Sequence, residues 1–437
     1  MKKLLILFLL STQVALAQEN TNIVRAKAML EELKKNNYKA IVAQFDTFLA
    51  ARLDTARLRK SWISVQQQFG GFKSVSGIDT SRQTEYEVVI QHLEMEKRKI
   101  DLKIIFGKTG AVKGFNLQPT SAMRAPYKTP DYAQPDLMDE RPLKVTSGTY
   151  SMSGILTVPK GPARFPVVIL VHGTGPNDKD ETVGSLKIFK DFSYGLTPKG
   201  IAVFRFDKRA RVYGQKSMRV KNFTVREEMM DDVLAAIEAV KADPSVDTNK
   251  IFLCGHSYGA MMLPKIAAQV KVAGLIYLAV NAKPLEDIML DQAEILREEA
   301  ANPREKALVD TMKKEAGKIK ALKQNPPSVN DSTTFLLRYP VSFWYDLSKY
   351  DAVKAAQKLK LPMLFLHGDR DYQVAKSDFT TWKTAIVSKN ASFKSYPDLN
   401  HFFMKGAGKS SPDEYNKPAN VSNQVIQDIS TWIKSVK

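Results

Sequence analysis

The stretch Ile251-Phe-Leu-Cys-Gly-His-Ser-Tyr-Gly-Ala260 predicts a strand, a sharp turn and a helix around one serine. An apolar run leads up to Gly255, and apolar residues at helical spacing resume at Met261. A Gly-x-Ser-x-Gly sequence in this context is typical of a nucleophile elbow, whose strained turn pushes the serine hydroxyl out of the backbone. The glycines on either side let the strand and the helix approach closely. Ser257 is therefore the candidate nucleophile.

The length of the chain and its first residues predict an exported protein of two domains. At 437 residues, the chain is longer than one hydrophobic core usually serves. A basic start at Met1, a short apolar run and the small-residue pattern Ala15-Leu-Ala17 together predict a secretory signal peptide over residues 1–17. The run is too short to span a bilayer and no later stretch is long enough, so no membrane span is expected. We expect a mature protein that begins near Gln18 and is periplasmic or secreted.

The charge and the cysteine content exclude some classes of protein. The formal net charge is +19, with lysines and arginines spread along both halves of the chain. A basic surface can favour acidic partners or a membrane face, but no nucleic-acid-binding motif accompanies the charge, and we interpret it as solvated helix surface. Cys254 is the only cysteine, so an internal disulfide is impossible and stability must come from packing.

Residues 22–117 have the pattern of a small α+β domain. Helical periodicity covers residues 26–33, 40–49 and 58–69, and the pair Gly70-Gly71 then interrupts it. Alternating apolar and polar residues predict strands over 84–93, 98–106 and 111–117. Residues 118–142 contain five prolines, and we interpret them as a linker to the second domain.

Residues 143–437 have the pattern of a catalytic domain of the α/β class. A hairpin is predicted over 143–145 and 150–158, followed by apolar strands over 167–171, 201–206, 251–254, 272–280, 361–366 and 391–396 with helices between them. Such strands require a mostly parallel sheet that is covered on both faces, with its active site at the carboxyl ends of the strands. The long insertion at about 283–350 is interpreted as a helical lid; a docking surface for the N-terminal domain is the alternative.

A serine nucleophile needs a base within hydrogen-bonding reach, and the chain offers five histidines. His92 belongs to the other domain, and His172 and His367 each precede a glycine at a strand end. His256 is adjacent to the serine in the elbow, so its side chain should point away from the hydroxyl. His401, on a loop after the last predicted strand, is the best candidate base.

The acid that orients the base should lie on a strand end between the serine and the histidine. The segment Leu366-His-Gly-Asp-Arg-Asp-Tyr-Gln-Val374 offers Asp369 and Asp371. We favour Asp371, because the loop must turn after Gly368 before it presents a carboxylate. The resulting chain order of serine, aspartate and histidine is the order of the α/β-hydrolases.

An oxyanion hole needs backbone amides that already point at the developing charge. The amide of Tyr258, first in the helix after the elbow, is one candidate. The second should come from the loop Val171-His-Gly-Thr-Gly-Pro-Asn-Asp178, where we choose Thr174, with Gly173 as the alternative. Neither a metal nor an organic cofactor is implied.

Together these motifs resemble the α/β-hydrolase superfamily, in particular exported two-domain bacterial enzymes similar to dienelactone hydrolases and serine-aminopeptidase-like hydrolases. The matching segments are His172-Gly-Thr-Gly-Pro-Asn-Asp, Asp207-Lys-Arg, Gly255-His-Ser-Tyr-Gly, His367-Gly-Asp-Arg-Asp and Asn400-His401. The N-terminal segment resembles the α+β domain of unknown function that precedes the hydrolase in such proteins. One departure is that Ala210 and Val212 stand where relatives usually have glycines, so this loop should take another path.

The resemblance and the triad predict a serine hydrolase that cleaves small carboxylic esters through an acyl-enzyme. A peptidase or a thioesterase on the same triad is the alternative. Glu298 and Glu299 in the lid could bind the amino terminus of a peptide, although acidic residues on an exposed helix are usually only solvated. A binding module with an inert hydrolase half is a third reading, which a complete triad argues against. The oligomeric state and the role of the N-terminal domain stay open.

Overall fold

The computed structural model describes residues 21–82, 86–119, 126–299, 303–326 and 334–436. The predicted signal peptide, residues 1–17, lies outside these ranges. The chain divides into two compact units, residues 1–123 and 124–437. Each unit is considered by itself below.

The N-terminal unit has helices followed by an antiparallel sheet, as the sequence predicts. Its strands pair in the order β1-β2-β3-β4. Its elements are α1 (Thr21–Lys34), α2 (Tyr38–Val42), α3 (Thr47–Arg52), α4 (Thr55–Phe69), β1 (Phe72–Arg82), β2 (Tyr86–Met95), β3 (Lys99–Gly107) and β4 (Val112–Pro119).

Two features of this unit differ from the prediction. The strand β1 was not predicted, because it is an edge strand in which no residue among 72–81 is buried and no apolar alternation marks it. The single helix predicted over 40–49 is two short helices, because Asp46 accepts a hydrogen bond from the amide of Leu49 (2.8 Å) and starts α3 anew.

The second unit is built on an eight-stranded sheet in the order β16-β15-β12-β11-β7-β10-β6-β5. Six neighbouring strands, from β10 to β16, run parallel, and the β5-β6 hairpin adds two antiparallel strands at one edge. The predicted mostly parallel sheet is thus confirmed. The strands of the sheet are β5 (Met138–Ser147), β6 (Tyr150–Pro159), β7 (Phe165–Val171), β10 (Ala202–Phe206), β11 (Val246–His256), β12 (Gly274–Leu278), β15 (Met363–Gly368) and β16 (Ala391–Tyr396), and the two-residue strands outside it are β8 (Thr182–Val183), β9 (Leu186–Lys187), β13 (Phe335–Leu336) and β14 (Tyr339–Pro340).

Helices cover both faces of this sheet, so it has a separate apolar core on each side. One core packs α7, α8, α12 and α13 against the strands, and the other packs α5 and α14. The helices are α5 (Ile188–Leu196), α6 (Arg209–Tyr213), α7 (Asp231–Lys241), α8 (Tyr258–Ala267), α9 (Leu285–Glu299), α10 (Pro303–Ala321), α11 (Val341–Ser348), α12 (Ala352–Gln357), α13 (Lys376–Ala385) and α14 (Asn423–Ser435).

The segment interpreted as a linker is partly structured on this second unit. The strand β5 starts at Met138, five residues before the predicted hairpin. Upstream of it, the Tyr127 hydroxyl donates to the buried carboxylate of Asp191 (2.8 Å), and the Tyr132 hydroxyl donates to the carbonyl oxygen of Val421 (2.9 Å). The amide of Val421 donates to the same Asp191 (2.8 Å). These bonds fix residues 127–132 to the second unit.

The insertion between β12 and β15 contains α9, α10, the β13-β14 pair and α11. The first two helices pack on each other, and the aromatic residues after them enter the core. Trp344 is buried, and its indole nitrogen donates to the carbonyl oxygen of Leu336 (2.7 Å). Within the described ranges, no helix is both long enough and apolar enough to cross a membrane.

Strand β11 and helix α8 meet in a contact that only glycine permits. A Cβ on Gly259 would lie 2.4 Å from the carbonyl oxygens of Val171 and His172, which belong to the neighbouring strand β7 and its loop. A Cβ on Gly255 would lie 2.6 Å from the backbone of Ala260. Because these are backbone atoms, no side-chain rotation can relieve the clash, and the turn between strand and helix keeps its tight path.

We expect Gly259→Ala to lower the free energy of unfolding by about 2 kcal/mol or more, because the added methyl group overpacks two backbone carbonyls. Gly317→Ala is the matched control, since a Cβ there meets nothing within 4 Å on the exposed side of α10. The control variant should leave the free energy of unfolding unchanged or raise it slightly. Urea denaturation midpoints of the two variants and the parent protein measure the effect, and equal midpoints would contradict it.

Candidate active site

Ser257 occupies the turn between β11 and α8 in a backbone conformation that is rare for serine. Its φ and ψ are 54° and −121°. Such a conformation costs about 1–3 kcal/mol and persists only where neighbouring bonds hold it. Here the Ser257 amide donates to the carbonyl oxygen of Leu278 (2.8 Å), and its own carbonyl accepts from Met261 (3.1 Å). The backbone geometry is that of a nucleophile elbow.

The site lies where the order of the sheet reverses. From β7 the chain crosses to β10 on one side, and from there it crosses to β11 on the other side of β7. The loops that follow β7 and β11 therefore diverge and leave a crevice at the carboxyl edge of the sheet. The loop after β7 lies next to the elbow, since a Cβ on Gly173 would be 3.5 Å from the Cβ of Ser257.

His401 and Asp371 form a buried pair. The Nδ1 of His401 lies 2.6 Å from the Oδ2 of Asp371. The other carboxylate oxygen accepts from the amides of Gln373 (2.7 Å) and Val374 (2.9 Å), so the loop backbone itself fixes the carboxylate. With Nδ1 occupied, Nε2 is the ring nitrogen left for a hydroxyl group. Asp369, the other candidate acid, instead pairs with the exposed Lys376 (2.7 Å).

Ser257 and His401 line one cavity of about 220 Å³. One wall is apolar and comes from the first helix of the insertion, with Leu285, Ile288 and Met289. Other lining residues are polar and uncharged: Asn177, Gln292, Gln373 and Tyr415. Thr174 of the β7 loop lines the same cavity. The structure thus brings the predicted nucleophile, base and oxyanion loop around one space.

The two candidates for the second oxyanion amide differ in their contacts. The amide of Gly173 donates to the Oε1 of Glu181 (2.7 Å) and is therefore occupied. Thr174 follows it and faces the cavity. Tyr258 is the first residue of α8, where a helix leaves its amides without intrahelical acceptors. The geometry therefore favours Thr174 over Gly173, next to the amide of Tyr258.

The remaining histidines have other contacts. His172 is buried with its Nε2 on the carbonyl oxygen of Asp178 (3.1 Å), and burial lowers its pKa to about 4. His367 stacks on Phe379 with the ring centroids 5.4 Å apart. In the N-terminal unit, His92 bridges two aspartates. His256 lines the same cavity as Ser257, and its ring nitrogens face Glu181 and the carbonyl oxygen of His401.

A buried polar cluster contacts the backbone of the β7 loop. The sequence analysis did not find this cluster. Lys208 donates to the carbonyl oxygen of Gly173 (3.0 Å) and to the carboxylate of Glu228 (2.6 Å). Tyr339, from the insertion, accepts from the amide of Gly175 (3.4 Å) and donates to the same Glu228 (3.5 Å). The Asp207-Lys-Arg motif was the only available signal for this cluster, because nothing in the sequence pairs Lys208 with Glu228.

The Asp207-Lys-Arg motif continues into a helical turn. Residues 209–213, which include Ala210 and Val212, form the short helix α6. Arg209 is buried, pairs with Asp232 (3.1 and 3.2 Å from its Nε) and lies over the ring of Tyr150 at 4.3 Å. The change of path relative to similar proteins stays a prediction, and in this chain the helical turn buries the arginine.

Two family models match the chain. One, described as serine aminopeptidase, S33, matches residues 162–408, more than half of the chain. The other, described as a protein of unknown function, matches residues 26–115, which lie in the N-terminal unit. The glutamates suggested for peptide binding, Glu298 and Glu299, have side chains outside the part that the structure describes.

Similar proteins include one that matches over nearly the whole chain. Esterase EstD of Thermotoga maritima is 33% identical over 405 residues, which cover 92% of this chain and 93% of EstD. The uncharacterized peptidase YuxL of Bacillus subtilis is 30% identical over 112 residues, 25% of this chain and 16% of YuxL. Among solved structures, Est1E from Butyrivibrio proteoclasticus is 15% identical to this chain. The match covers 67% of this chain and 99% of Est1E with a TM-score of 0.43, and no conclusion rests on it. The family match and the EstD match confirm the resemblance and the fold class predicted from the motifs, and the chain belongs to the α/β-hydrolase family described as serine aminopeptidase, S33.

Proposed function

We propose that this enzyme hydrolyses small carboxylic esters through an acyl-enzyme on Ser257. The observation that carries the proposal is the buried contact of 2.6 Å between His401 and Asp371. His401 lines the same cavity as the serine of the elbow. A serine hydroxyl is a weak nucleophile at neutral pH and needs such an oriented base. The similarity to a protein named as an esterase over nearly the whole chain supports the same reading.

In this mechanism the Ser257 hydroxyl attacks the ester carbonyl while Nε2 of His401 takes its proton. Asp371 holds Nδ1–H and stabilises the imidazolium that forms. The imidazolium then protonates the departing alkoxide, which leaves an acyl-enzyme. His401 next takes a proton from water, whose oxygen attacks the acyl carbon. The bond to Ser257 then breaks, the imidazolium returns the proton to the serine oxygen, and the acid leaves.

The amides of Thr174 and Tyr258 stabilise the negative charge on the carbonyl oxygen in both steps. Such donors act most strongly when they are fixed before the reaction, and one donor typically contributes on the order of 10²–10³ in rate. Three hydrogen bonds fix the loop of Thr174. Glu181 and Lys208 bind the backbone of Gly173, and Tyr339 binds the amide of Gly175. Its amides therefore need no rearrangement when charge develops.

The cavity favours a short, uncharged substrate. Its volume of about 220 Å³ lies below the range of roughly 300–1,000 Å³ that is common for ligand pockets. Among the residues that the structure describes, no lysine or arginine lines it, and its one carboxylate, Glu181, is bound to Gly173 and His256. A carboxylate with both oxygens so placed is poorly suited to bind the amino terminus of a peptide, which favours an ester over a peptide.

Hydrolysis of a p-nitrophenyl ester series by the purified mature protein tests this proposal. We expect kcat/KM to be highest for short acyl chains such as acetate or butyrate and to fall as the chain outgrows the cavity. Ser257→Ala should reduce turnover by about 10⁴-fold or more while the melting temperature stays near that of the parent, because the variant removes only the nucleophile.

A fluorophosphonate probe and an aminoacyl amide substrate separate the alternatives. Labelling of Ser257 with faster turnover of the amide than of the matched ester would replace the esterase by a peptidase. Failure of the probe to label Ser257 together with silence on all esters would mean that the triad is inert, and the proposal would fall.

The two aspartates of the β15 loop form a matched pair of variants. Asp371→Asn should lower kcat by about 10⁴-fold, because an amide on Nδ1 favours the wrong histidine tautomer. The kcat of Asp369→Asn should stay within about threefold of that of the parent, because this change removes only an ion pair with the exposed Lys376. Steady-state kinetics on a short ester measure both. Equal losses in the two variants would show that Asp371 has no special role.

We also propose that the enzyme acts outside the cytoplasm, because residues 1–17 have the features of a signal peptide. When the full-length chain is expressed in a bacterium, mass spectrometry of the purified protein should find an amino terminus at Gln18. Ala17→Arg should block processing, since the residue before the cleavage point must be small. An unprocessed parent protein that stays in the cytoplasm would contradict the proposal.

A further inference from the structure

A second acid–histidine pair lies directly behind the proposed triad. Glu181 is buried, and its Oε1 accepts from the amide of Gly173 (2.7 Å). Its Oε2 lies 3.3 Å from Nδ1 of His256. Glu181 itself adopts a left-handed backbone conformation with φ of 46°, which is unusual for a glutamate and indicates that its surroundings hold it in place.

His256 continues the contact to the loop of the candidate base. Its Nε2 lies 3.2 Å from the carbonyl oxygen of His401, and the two imidazole rings pack with centroids 4.6 Å apart. A chain of polar contacts therefore runs from Gly173 through Glu181 and His256 to His401. It joins the loops that follow three different strands, β7, β11 and β16, around Ser257.

The electrostatics of the pair favour its charged form. Burial lowers the pKa of His256. The negative charge of Glu181, its hydrogen bond and the carbonyl of His401 raise this pKa by more than burial lowers it, so the net shift is upward. Burial raises the pKa of Glu181, but the charge and hydrogen bond of His256 outweigh it, so the net shift is downward. A doubly protonated His256 carries an N–H on both ring nitrogens, of which one faces the Glu181 carboxylate and the other the carbonyl oxygen of His401.

The other charged groups near the pair do not replace either partner. His172 acts on Glu181, and Asp371 acts on His256, but both have their own partners at Asp178 and His401. Lys208 donates to the carbonyl oxygen of Gly173 and to Glu228.

We propose that Glu181 and His256 are positioning residues that hold the oxyanion loop and the loop of His401 in register around Ser257. The proposal rests on the esterase mechanism above. Stability alone does not account for such a pair, because replacing a buried ion pair by well-packed apolar side chains is often neutral or stabilising. The two ends of the pair are attached to the two groups that must be aligned for acyl transfer, and a displacement of about 1 Å there can cost on the order of 10² in rate.

Four variants test the proposal: Glu181→Gln, Glu181→Leu, His256→Phe and the double Glu181→Leu/His256→Phe. Glu181→Leu should lower kcat by about 10²-fold with KM within about threefold, because it breaks the contact that aligns the two loops while the apolar walls of the cavity stay in place. Glu181→Gln should stay within about fivefold of the parent, because the amide can still accept from Gly173 and donate to a neutral His256. The kcat of the double variant should be no lower than that of the single variants, because Glu181 and His256 act through the same contact.

The comparison is made on the purified full chain with a short p-nitrophenyl ester, with melting temperatures and fluorophosphonate labelling of Ser257 for each variant. The double variant leaves no unpaired buried charge, so it decides the outcome if a single variant misfolds. A folded double variant with parental kcat, a Glu181→Gln as slow as Glu181→Leu, or a loss confined to KM would each overturn the proposal. An unlabelled, inert parent protein would instead overturn the esterase mechanism.

Discussion

The rest of the site depends on the close approach of β11, α8 and β7 at Gly259. A side chain larger than hydrogen would meet two backbone carbonyls of β7 and its loop at 2.4 Å. Two residues before that contact, Ser257 has its strained conformation and lines the cavity between the diverging loops. The contact at Gly259 also sets the distance from the elbow to the β7 loop, because the carbonyls that Gly259 touches belong to the residues just before Gly173. Nucleophile and oxyanion loop are thus placed by one packing contact.

Around this contact, polar groups are buried in pairs rather than singly. Two buried pairs contact the backbone of Gly173. Lys208, paired with Glu228, donates to its carbonyl oxygen, and Glu181, paired with His256, accepts from its amide. Burying a charge without a partner would cost several kcal/mol, and each pair avoids that cost while it fixes a peptide group. The loop is therefore rigid for a reason other than apolar packing. Rigidity of this kind matters most where charge develops during a reaction.

How far the sequence predicts the site depends on whether a residue carries a local signal. Ser257 lies in a motif with its own backbone demands, and His401 follows from elimination among only five histidines. Asp371 could be preferred over Asp369 from loop geometry. By contrast, Glu181 and Glu228 resemble ordinary acidic residues in sequence, and their contacts with Gly173 and Lys208 become visible only in the folded chain. The missed strand β1 has the same cause, since an exposed edge strand has no burial pattern to detect.

The insertion is connected to the chemistry by more than its place above the cavity. Its first helix supplies an apolar wall of the cavity, while Tyr339 accepts from the Gly175 amide and donates to Glu228. A movement of the insertion would therefore change the shape of the cavity and, through a single hydroxyl, the support of the oxyanion loop. In the proposed mechanism, the size of substrate that fits and the support of the oxyanion loop would both depend on the position of this inserted segment. An insertion that varies in sequence can then alter the preferred substrate without any change in Ser257, Asp371 or His401.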